Sequence, residues 1–64
     1  MIVNGAPMRL KEEVSLLHFL ELEGYDARRV AVEKNGRIVP KGAFPTETLS
    51  DGDRVEIVSF VGGG

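Results

Sequence analysis

The residues with the clearest potential for chemistry are the three consecutive glycines at the C-terminal end of the sequence, Gly62, Gly63 and Gly64. They follow a strand-like segment directly, although glycine weakens strands and loses much entropy when it is ordered. Four residues from Val61 onward span roughly 13 Å when extended, and glycines can pass through a narrow channel because they lack Cβ atoms. We therefore predict a folded domain at residues 1–61 and a flexible glycine tail at residues 62–64 that reaches into a partner's pocket.

The reactive group of such a tail would be the terminal carboxylate of Gly64. This group has a pKa of about 3.3 to 3.7 in short peptides, so it is ionised at neutral pH and is a poor acceptor for a nucleophile. The sequence contains no phosphate-binding loop, so activation by ATP would have to take place on another protein. The simpler interpretation is that the glycines are a frayed terminus or a linker remnant.

No other group of side chains in the sequence resembles an active site. His18 is the only histidine and has no Ser, Cys or metal-ligating residue at a suitable spacing. Asp51 and Asp53 flank Gly52, where carboxylates ordinarily bond to the local backbone N–H groups of a turn. The absence of cysteine excludes a thiolate metal site and a catalytic thiol. We therefore expect no metal site, no bound cofactor and no enzyme active site.

The composition indicates one small folded domain. A chain of 64 residues buries only about 60% of its unfolded surface, and 42% hydrophobic with 28% charged residues is far from a disordered composition. The formal net charge of -2 gives no general attraction to nucleic acid. Because the sequence lacks a secretion signal and the run of roughly 20 apolar residues that crosses a bilayer, we expect a cytoplasmic protein without membrane contact, monomeric when free.

Two Asn-Gly pairs predict two β-hairpins, because a two-residue primed turn requires positive φ angles. The first pair separates residues 1–3 from residues 8–11. The second, Asn35-Gly36, separates residues 30–32 from residues 38–39.

The segment from Val14 to Glu23 predicts the one substantial helix. Its apolar residues do not alternate as in a strand, and most of its residues are good helix formers. Gly24 fits a left-handed stop, and Tyr25 just beyond it could cover the last turn. Glu13 stands at the start, where an acidic residue suits the helix dipole although Ser or Thr is the more usual cap.

The C-terminal third of the sequence predicts a loop followed by a strand. In the loop of residues 41–50, Phe44 and Leu49 are expected to close the bottom of the core, and residues 54–61 form the most strand-like segment. The resulting order of elements is strand, strand, helix, strand, strand, loop, strand. It predicts an α+β fold of the β-grasp, ubiquitin-like type, with one main helix packed across a mixed sheet of four or five strands.

The last strand separates core residues from residues that could meet a partner. Val55 and Ile57 share one face and are expected to point inward, while Val58 and Phe60 share the other face. Their position just before the tail makes Val58 and Phe60 candidates for contact with a partner protein, although single exposed apolar residues are also ordinary.

Basic residues dominate the middle of the chain: Arg28, Arg29, Lys34, Arg37 and Lys41. A solvated face is the usual explanation for such a group. The alternative is a surface for an acidic protein partner, since complementary charge speeds encounter.

Two segments carry a resemblance to a known family. They are DGDRVEIV at residues 51–58, followed by the glycine tail, and VAVEKNGRIVP at residues 30–40. Together with the opening strand that ends at Asn4, the single helix and the short length, they make the sequence similar to the ThiS family of thiamine-pathway sulfur carriers over nearly the whole chain.

The resemblance implies a cycle of reactions at Gly64. A ThiF-type adenylating enzyme would use ATP to adenylate its carboxylate, and sulfur from a cysteine-derived persulfide on a sulfur donor protein would convert it to a thiocarboxylate. The thiocarboxylate would then pass its sulfur to a ThiG-type thiazole synthase. Gly62 and Gly63 would thread the partner's active site. In this role the chain is a co-substrate and not an enzyme.

Three alternatives remain open from the sequence. A carrier similar to MoaD would use the same terminal glycine for molybdopterin synthesis, and a ubiquitin-like modifier would be attached to lysines. A stand-alone β-grasp binding module of the TGS type would bind RNA or a regulatory partner and would not depend on the tail.

Overall fold

The computed structural model describes residues 1–60 of the chain. Within them it shows seven strands, one α-helix and two short 3-10 helices. The strands and the helix in chain order are β1 (Ile2–Val3), β2 (Ala6–Pro7), β3 (Val14–Ser15), α1 (Leu16–Leu22), β4 (Val30–Lys34), β5 (Arg37–Val39), β6 (Thr48–Leu49) and β7 (Arg54–Ser59). The 3-10 helices are Ala27–Arg29 and Lys41–Ala43.

Five strands form one mixed sheet in the order β2-β1-β7-β4-β5. The pair β1 and β7 is parallel, and the other three pairs are antiparallel. The remaining strands, β3 and β6, form a separate antiparallel pair. This arrangement confirms the predicted β-grasp fold, and it makes β7 the central strand of the sheet.

The core lies between α1 and one face of the sheet. It contains the buried side chains of Met1, Leu16, Phe19, Leu20, Val30, Val32, Val39, Phe44, Leu49, Val55 and Ile57. The inward direction of Val55 and Ile57 is confirmed, and so is the placement of Phe44 and Leu49 in the core. The loop that carries Phe44 is fixed to the start of the helix, because its carbonyl accepts a hydrogen bond of 2.9 Å from the N–H of Leu17.

The first hairpin is confirmed, but its second arm begins earlier than predicted. Asn4 and Gly5 have φ angles of 50° and 83°, so a two-residue primed turn returns the chain to the sheet at β2 and not at residue 8. The pairing extends to Met8, whose N–H donates to the Met1 carbonyl at 2.7 Å. Leu10 was wrongly placed in this strand, because its N–H donates to the Asp51 carboxylate at 2.8 Å.

The helix is confirmed, but its predicted start at Val14 is wrong. Val14 and Ser15 are extended and pair with β6, so α1 begins at Leu16. Ser15, not Glu13, is the N-cap residue: its hydroxyl accepts a hydrogen bond of 3.1 Å from the N–H of His18.

The predicted glycine stop at the other end of the helix is confirmed. Gly24 has a φ of 83°, and the N–H of Tyr25 donates to the Leu20 carbonyl at 2.9 Å. This is the bonding pattern of a Schellman motif, which satisfies carbonyls at the end of a helix. It ends α1 at Leu22, one residue before the predicted end.

The second hairpin has the predicted primed turn, with φ angles of 51° at Asn35 and 83° at Gly36. This turn fixes the register of β4 against β5, in which Val32 lies opposite Val39 and Glu33 lies opposite Ile38. Val32 and Val39 are buried, so their neighbours Glu33 and Ile38 point to the other face of the sheet.

The Asn4 side chain anchors β7. The N–H of Asn4 donates to the Val55 carbonyl at 2.9 Å, where the parallel ladder of β1 ends. Its side-chain Oδ1 then accepts a hydrogen bond of 2.7 Å from the N–H of Ile57, and its Nδ2 donates to the Ile57 carbonyl at 3.2 Å. The amide thus stands in for one further residue of a neighbouring strand.

Polar contacts also hold the turn that precedes β7. Asp53 accepts hydrogen bonds from the N–H of Ser50 at 2.7 Å and from the Asn35 amide at 2.9 Å. The Lys34 ammonium lies 3.9 Å from the Asp53 carboxylate and donates to the Glu47 carboxylate at 2.9 Å. Burial by itself raises the pKa of Asp53, but the hydrogen bonds and the Lys34 charge outweigh it and hold that pKa below its usual value.

The predicted hydrogen bonding of the two carboxylates to local backbone N–H groups is therefore confirmed for Asp53. Asp51 lies in the predicted turn, but its predicted local bonding is wrong. Asp51 accepts hydrogen bonds from the Leu10 N–H at 2.8 Å and from the Met1 amino group at 3.2 Å. Both donors are distant in sequence. The Leu10 hydrogen bond, and then the hydrogen bond and positive charge of the amino group, lower the pKa of Asp51.

We expect Asn4→Gly to lower the free energy of unfolding by about 1–3 kcal/mol, because Ile57 loses both side-chain partners. Glycine accepts a positive φ, so backbone strain does not contribute. Ala6→Gly is the matched control, since it adds a glycine to the same exposed hairpin and removes no polar group. Ala6→Gly should lower the free energy of unfolding by no more than about 1 kcal/mol. Equal losses in the two variants, measured by chemical denaturation, would contradict the anchoring role.

We expect Asp53→Ala to lower the free energy of unfolding at pH 7 by about 1.5–3 kcal/mol, the range for hydrogen bonds to charged groups. The pKa of Asp53 is lower in the folded state than its unfolded value of about 3.9. The contribution of ionised Asp53 to the free energy of unfolding is therefore complete above about pH 5. It disappears as the pH falls through the pKa that Asp53 has in the folded state.

Chemical denaturation of wild type and Asp53→Ala between pH 7 and pH 3 tests this direction. The difference between their free energies of unfolding should shrink as the pH falls. The control is Glu21→Ala, at an exposed position of the helix, which should show no such trend. A difference between wild type and Asp53→Ala that stays constant over this range would refute the assignment.

Candidate functional site

The site of interest is the end of β7, from which the glycine tail continues. The described chain ends at Phe60, whose N–H donates to the Arg29 carbonyl at 2.7 Å. The three predicted tail residues, Gly62, Gly63 and Gly64, lie outside the described residues, so their roles stay predictions. Phe60, the last described residue, therefore lies beside the start of β4.

Two of the predicted site residues, Val58 and Phe60, are exposed on the sheet face opposite the helix. Val58 keeps 59% of its surface exposed and Phe60 keeps 50%. The alternation along β7 explains this, because Val55 and Ile57 occupy the buried face. Ala31 lies directly opposite Val58 and is also exposed. The structure thus places Val58 and Phe60 where a partner could contact them, and the contact itself stays a prediction.

A third large apolar side chain lies on the same face, and sequence reasoning missed it. Ile38 is 77% exposed, and its register with Glu33 directs it away from the core. The signal was present in the Asn35-Gly36 turn, since a two-residue turn fixes which residues face each other. We call Ala31, Ile38, Val58 and Phe60 the apolar patch. Several exposed apolar residues on one sheet face are typical of an interaction surface.

Three basic residues, Arg28, Arg29 and Lys41, belong to the segments next to Phe60. The Lys41 ammonium lies 5.9 Å from the centre of the Phe60 ring, within the range of a cation–π contact, and it donates to the Arg28 carbonyl. Asp26 lies 3.3 Å from Arg28 and 3.7 Å from Arg29, and the hydrogen bond from Arg28 lowers the pKa of Asp26. Asp26 pairs with two of these three cations, and Lys41 pairs with no carboxylate of residues 1–60, so this end of the sheet carries a net positive charge.

The predicted basic group is therefore divided by the fold. Arg28, Arg29 and Lys41 belong to the segments next to Phe60. Lys34 instead takes part in the half-buried ion pair with Glu47, whose hydrogen bond raises the pKa of Lys34. Arg37 begins β5 on the far side of the hairpin turn.

Besides a groove of about 450 Å³ lined by Met1 and Asp51, the described residues form two other grooves away from Phe60. One, of about 500 Å³, follows the free edge of β5 from Lys34 to Pro40. The other, of about 450 Å³, lies between α1 and the segment from Met8 to Val14, and His18 lines it. Residues 1–60 bring no three His, Asp or Glu side chains together in a way that could hold a metal ion. No helix in this part of the chain is long and apolar enough to cross a membrane.

Comparison with known proteins places this chain in a family. The model of the ThiS family matches residues 1–64. The fold is similar to the crystal structure of a thiamine biosynthesis protein (ThiS) from Geobacter metallireducens, with a TM-score of 0.81 and 38% sequence identity. That match covers 98% of this chain and 96% of the other.

Two curated relatives have a similar level of identity. The thiazole synthase of Paramagnetospirillum magneticum is 39% identical over 64 residues, which is 100% of this chain, but the chain spans only 20% of that protein. The ycf40 protein of Porphyra purpurea is 36% identical over 62 residues, which cover 97% of this chain and 87% of that protein. The whole-length family match and the shared β-grasp fold confirm the resemblance seen in the sequence: the chain belongs to the ThiS family.

Proposed function

We propose that this chain is a sulfur carrier protein for thiamine biosynthesis and that it works through the carboxylate of Gly64. The observation that carries the proposal is the match to the ThiS family over residues 1–64, which includes the glycine tail. The thiamine biosynthesis protein from Geobacter metallireducens supports it, because it shares the fold over nearly the whole of both chains. Neither a MoaD-like role in molybdopterin synthesis nor a TGS-like binding module has such support.

In the proposed cycle a carboxylate oxygen of Gly64 attacks the α-phosphate of ATP on a ThiF-type adenylating enzyme, and pyrophosphate leaves. The acyl adenylate is then open to a sulfur nucleophile. The outer sulfur of a persulfide on the donor protein displaces AMP and forms an acyl disulfide. A thiol attacks the donor's sulfur of that bond, forms a disulfide with it and releases the thiocarboxylate of Gly64.

The chain contributes delivery to this chemistry and no catalytic group. Gly62 and Gly63 thread the partner's channel, and Val58 and Phe60 contact the partner's surface. Asn4 supports them by holding the strand that ends at the tail. The chain itself needs no cofactor, since ATP and the sulfur donor bind to the partners.

We further propose that a ThiG-type thiazole synthase accepts the sulfur. The thiazole synthases of Paramagnetospirillum magneticum and Magnetococcus marinus contain segments 39% and 34% identical to this chain. In those proteins a carrier-like segment is part of the same polypeptide as the synthase. A carrier whose partner is the synthase would explain that fusion. The cytoplasm and a monomeric free state remain the expected setting.

Intact mass spectrometry tests the carrier role. Incubation with a ThiF-type enzyme, ATP and a persulfide donor should add the mass of one sulfur-for-oxygen exchange, located at Gly64. The product should also react with a thiol alkylating reagent, a specific sign because the chain has no cysteine. A variant that ends at Gly62 keeps residues 1–60 and should gain nothing. Absence of the gain in the full chain with an enzyme active on its own carrier would refute the proposal.

A matched pair of variants tests the partner contact. We expect Phe60→Ala to raise the KM for adenylation about tenfold, because buried aromatic anchors at interfaces contribute about 1–2 kcal/mol or more. Leu22→Ala is the control, since Leu22 is 66% exposed but lies on the helix, on the other side of the sheet. Its KM should stay at the wild-type value. An unchanged KM in Phe60→Ala would count against the contact.

A further inference from the structure

Two glutamates lie directly opposite each other on the outer face of the sheet. Glu33 of β4 and Glu56 of β7 are partners in the antiparallel ladder, and both are exposed. Directly opposed residues have their Cβ atoms about 5 Å apart, and like charges at this spacing destabilise a sheet. The fold therefore keeps an unfavourable pair in the middle of its central strands.

No cation of the described chain neutralises this pair. The ion pairs that residues 1–60 form involve the carboxylates of Asp26, Glu47, Asp51 and Asp53, and not those of the two glutamates. Lys34 is next to Glu33 in sequence, but it points to the other side of the sheet and bonds to Glu47. Arg54 is the basic residue on the same strand face, and its guanidinium is not within 4 Å of either carboxylate.

The two carboxylates lie along the border of the apolar patch. Ile38 of β5 is directly opposite Glu33, and the next outward row of the sheet is the pair Ala31 and Val58. A partner that covers the patch from Val58 to Ile38 therefore lies against Glu33 and its neighbour Glu56 and removes water from them. Two negative charges can be removed from water only if the partner supplies a compensating cation.

We propose that Glu33 and Glu56 together bind one arginine or lysine side chain on the docking surface of the adenylating enzyme. A guanidinium has donors spread in a plane, so it can bond to two carboxylates at once and relieve their repulsion. The inference rests on the proposed carrier function, because that function brings the adenylating enzyme to this face.

The charges on the face also set the direction of docking. Phe60 follows Glu56 by four residues, which is roughly 13 Å along a strand, and the Lys41 ammonium lies 5.9 Å from the centre of its ring. The face is therefore negative at the glutamate pair and positive near Phe60. Arg54 lies on the other side of Glu56 but only two residues away, so a partner with a cation for the glutamates and an acidic group spaced to reach Lys41 makes both contacts in one rotation only.

Steady-state adenylation, followed as pyrophosphate release by the ThiF-type enzyme, tests the proposal with Glu33→Gln, Glu56→Gln and the double variant. The double variant should have a KM raised on the order of tenfold, with kcat unchanged at saturation. The KM of wild type should rise with salt concentration more steeply than that of the double variant. Each free variant should be at least as stable as wild type, since the repulsion is removed.

The control is Glu21→Gln, which removes the same charge from the exposed helix on the other side of the sheet and should leave KM unchanged. The effects of the two single variants should not add, because both carboxylates share one cation. An unchanged KM in the double variant, or an equal rise in Glu21→Gln, would overturn the proposal. So would a loss of affinity for thiazole synthase alone. If the wild-type chain is not adenylated at all, the proposed function fails, and that result is distinct from a failure of this inference.

Discussion

The structure depends most on the position of β7, the central strand of the sheet. It pairs on one side with a parallel strand of only two residues, and this ladder is too short to hold the segment that leads to the tail. The side-chain amide of Asn4 extends the ladder by bonding to both backbone groups of Ile57. On the other side, β4 pairs with β7 along five residues. Because side chains alternate along a strand, fixing this backbone fixes three things at once: the core, the outward apolar patch and the point from which the tail leaves.

The charged groups on the two sides of the sheet behave differently. Below the sheet, Lys34, Glu47 and Asp53 form a connected network in which each group has a partner of opposite charge or a hydrogen bond. On the outer face, Glu33 and Glu56 oppose each other without such a partner in the described chain. A fold selected for stability alone would avoid the second arrangement, since opposed like charges cost energy and a Glu-to-Gln change would remove the cost. This contrast is the basis of our proposal that the missing cation arrives with a partner that covers the outer face.

The sequence was sufficient where local chemistry decides structure and insufficient where distant residues decide it. The Asn-Gly turns and the helix stop at Gly24 follow from backbone preferences of a few residues, and the inward direction of Ile57 follows from alternation. The start of the helix was misplaced because Val14 belongs to a two-residue strand whose partner lies more than thirty residues away, and no local pattern marks such a pair. The same holds for Asp51, whose donors come from the first residues of the chain. The Asn35-Gly36 turn fixes the register of Ile38, yet its role was missed. Its place beside Val58 and Phe60 on one face follows only when β7, β4 and β5 are aligned.

A tail of glycines and a rigid domain suit each other for a physical reason. Glycine loses more backbone entropy than any other residue when it becomes ordered, so in the proposed function the threading of Gly62 to Gly64 into a channel would carry a cost in every encounter with a partner. That cost is offset if the residues before the tail need no further ordering when they dock. Phe60 meets this condition, because its N–H is already bonded to Arg29 and its ring already lies beside Lys41. In the proposed function the domain would therefore supply a preordered surface within a few residues of the glycines that enter the partner's site.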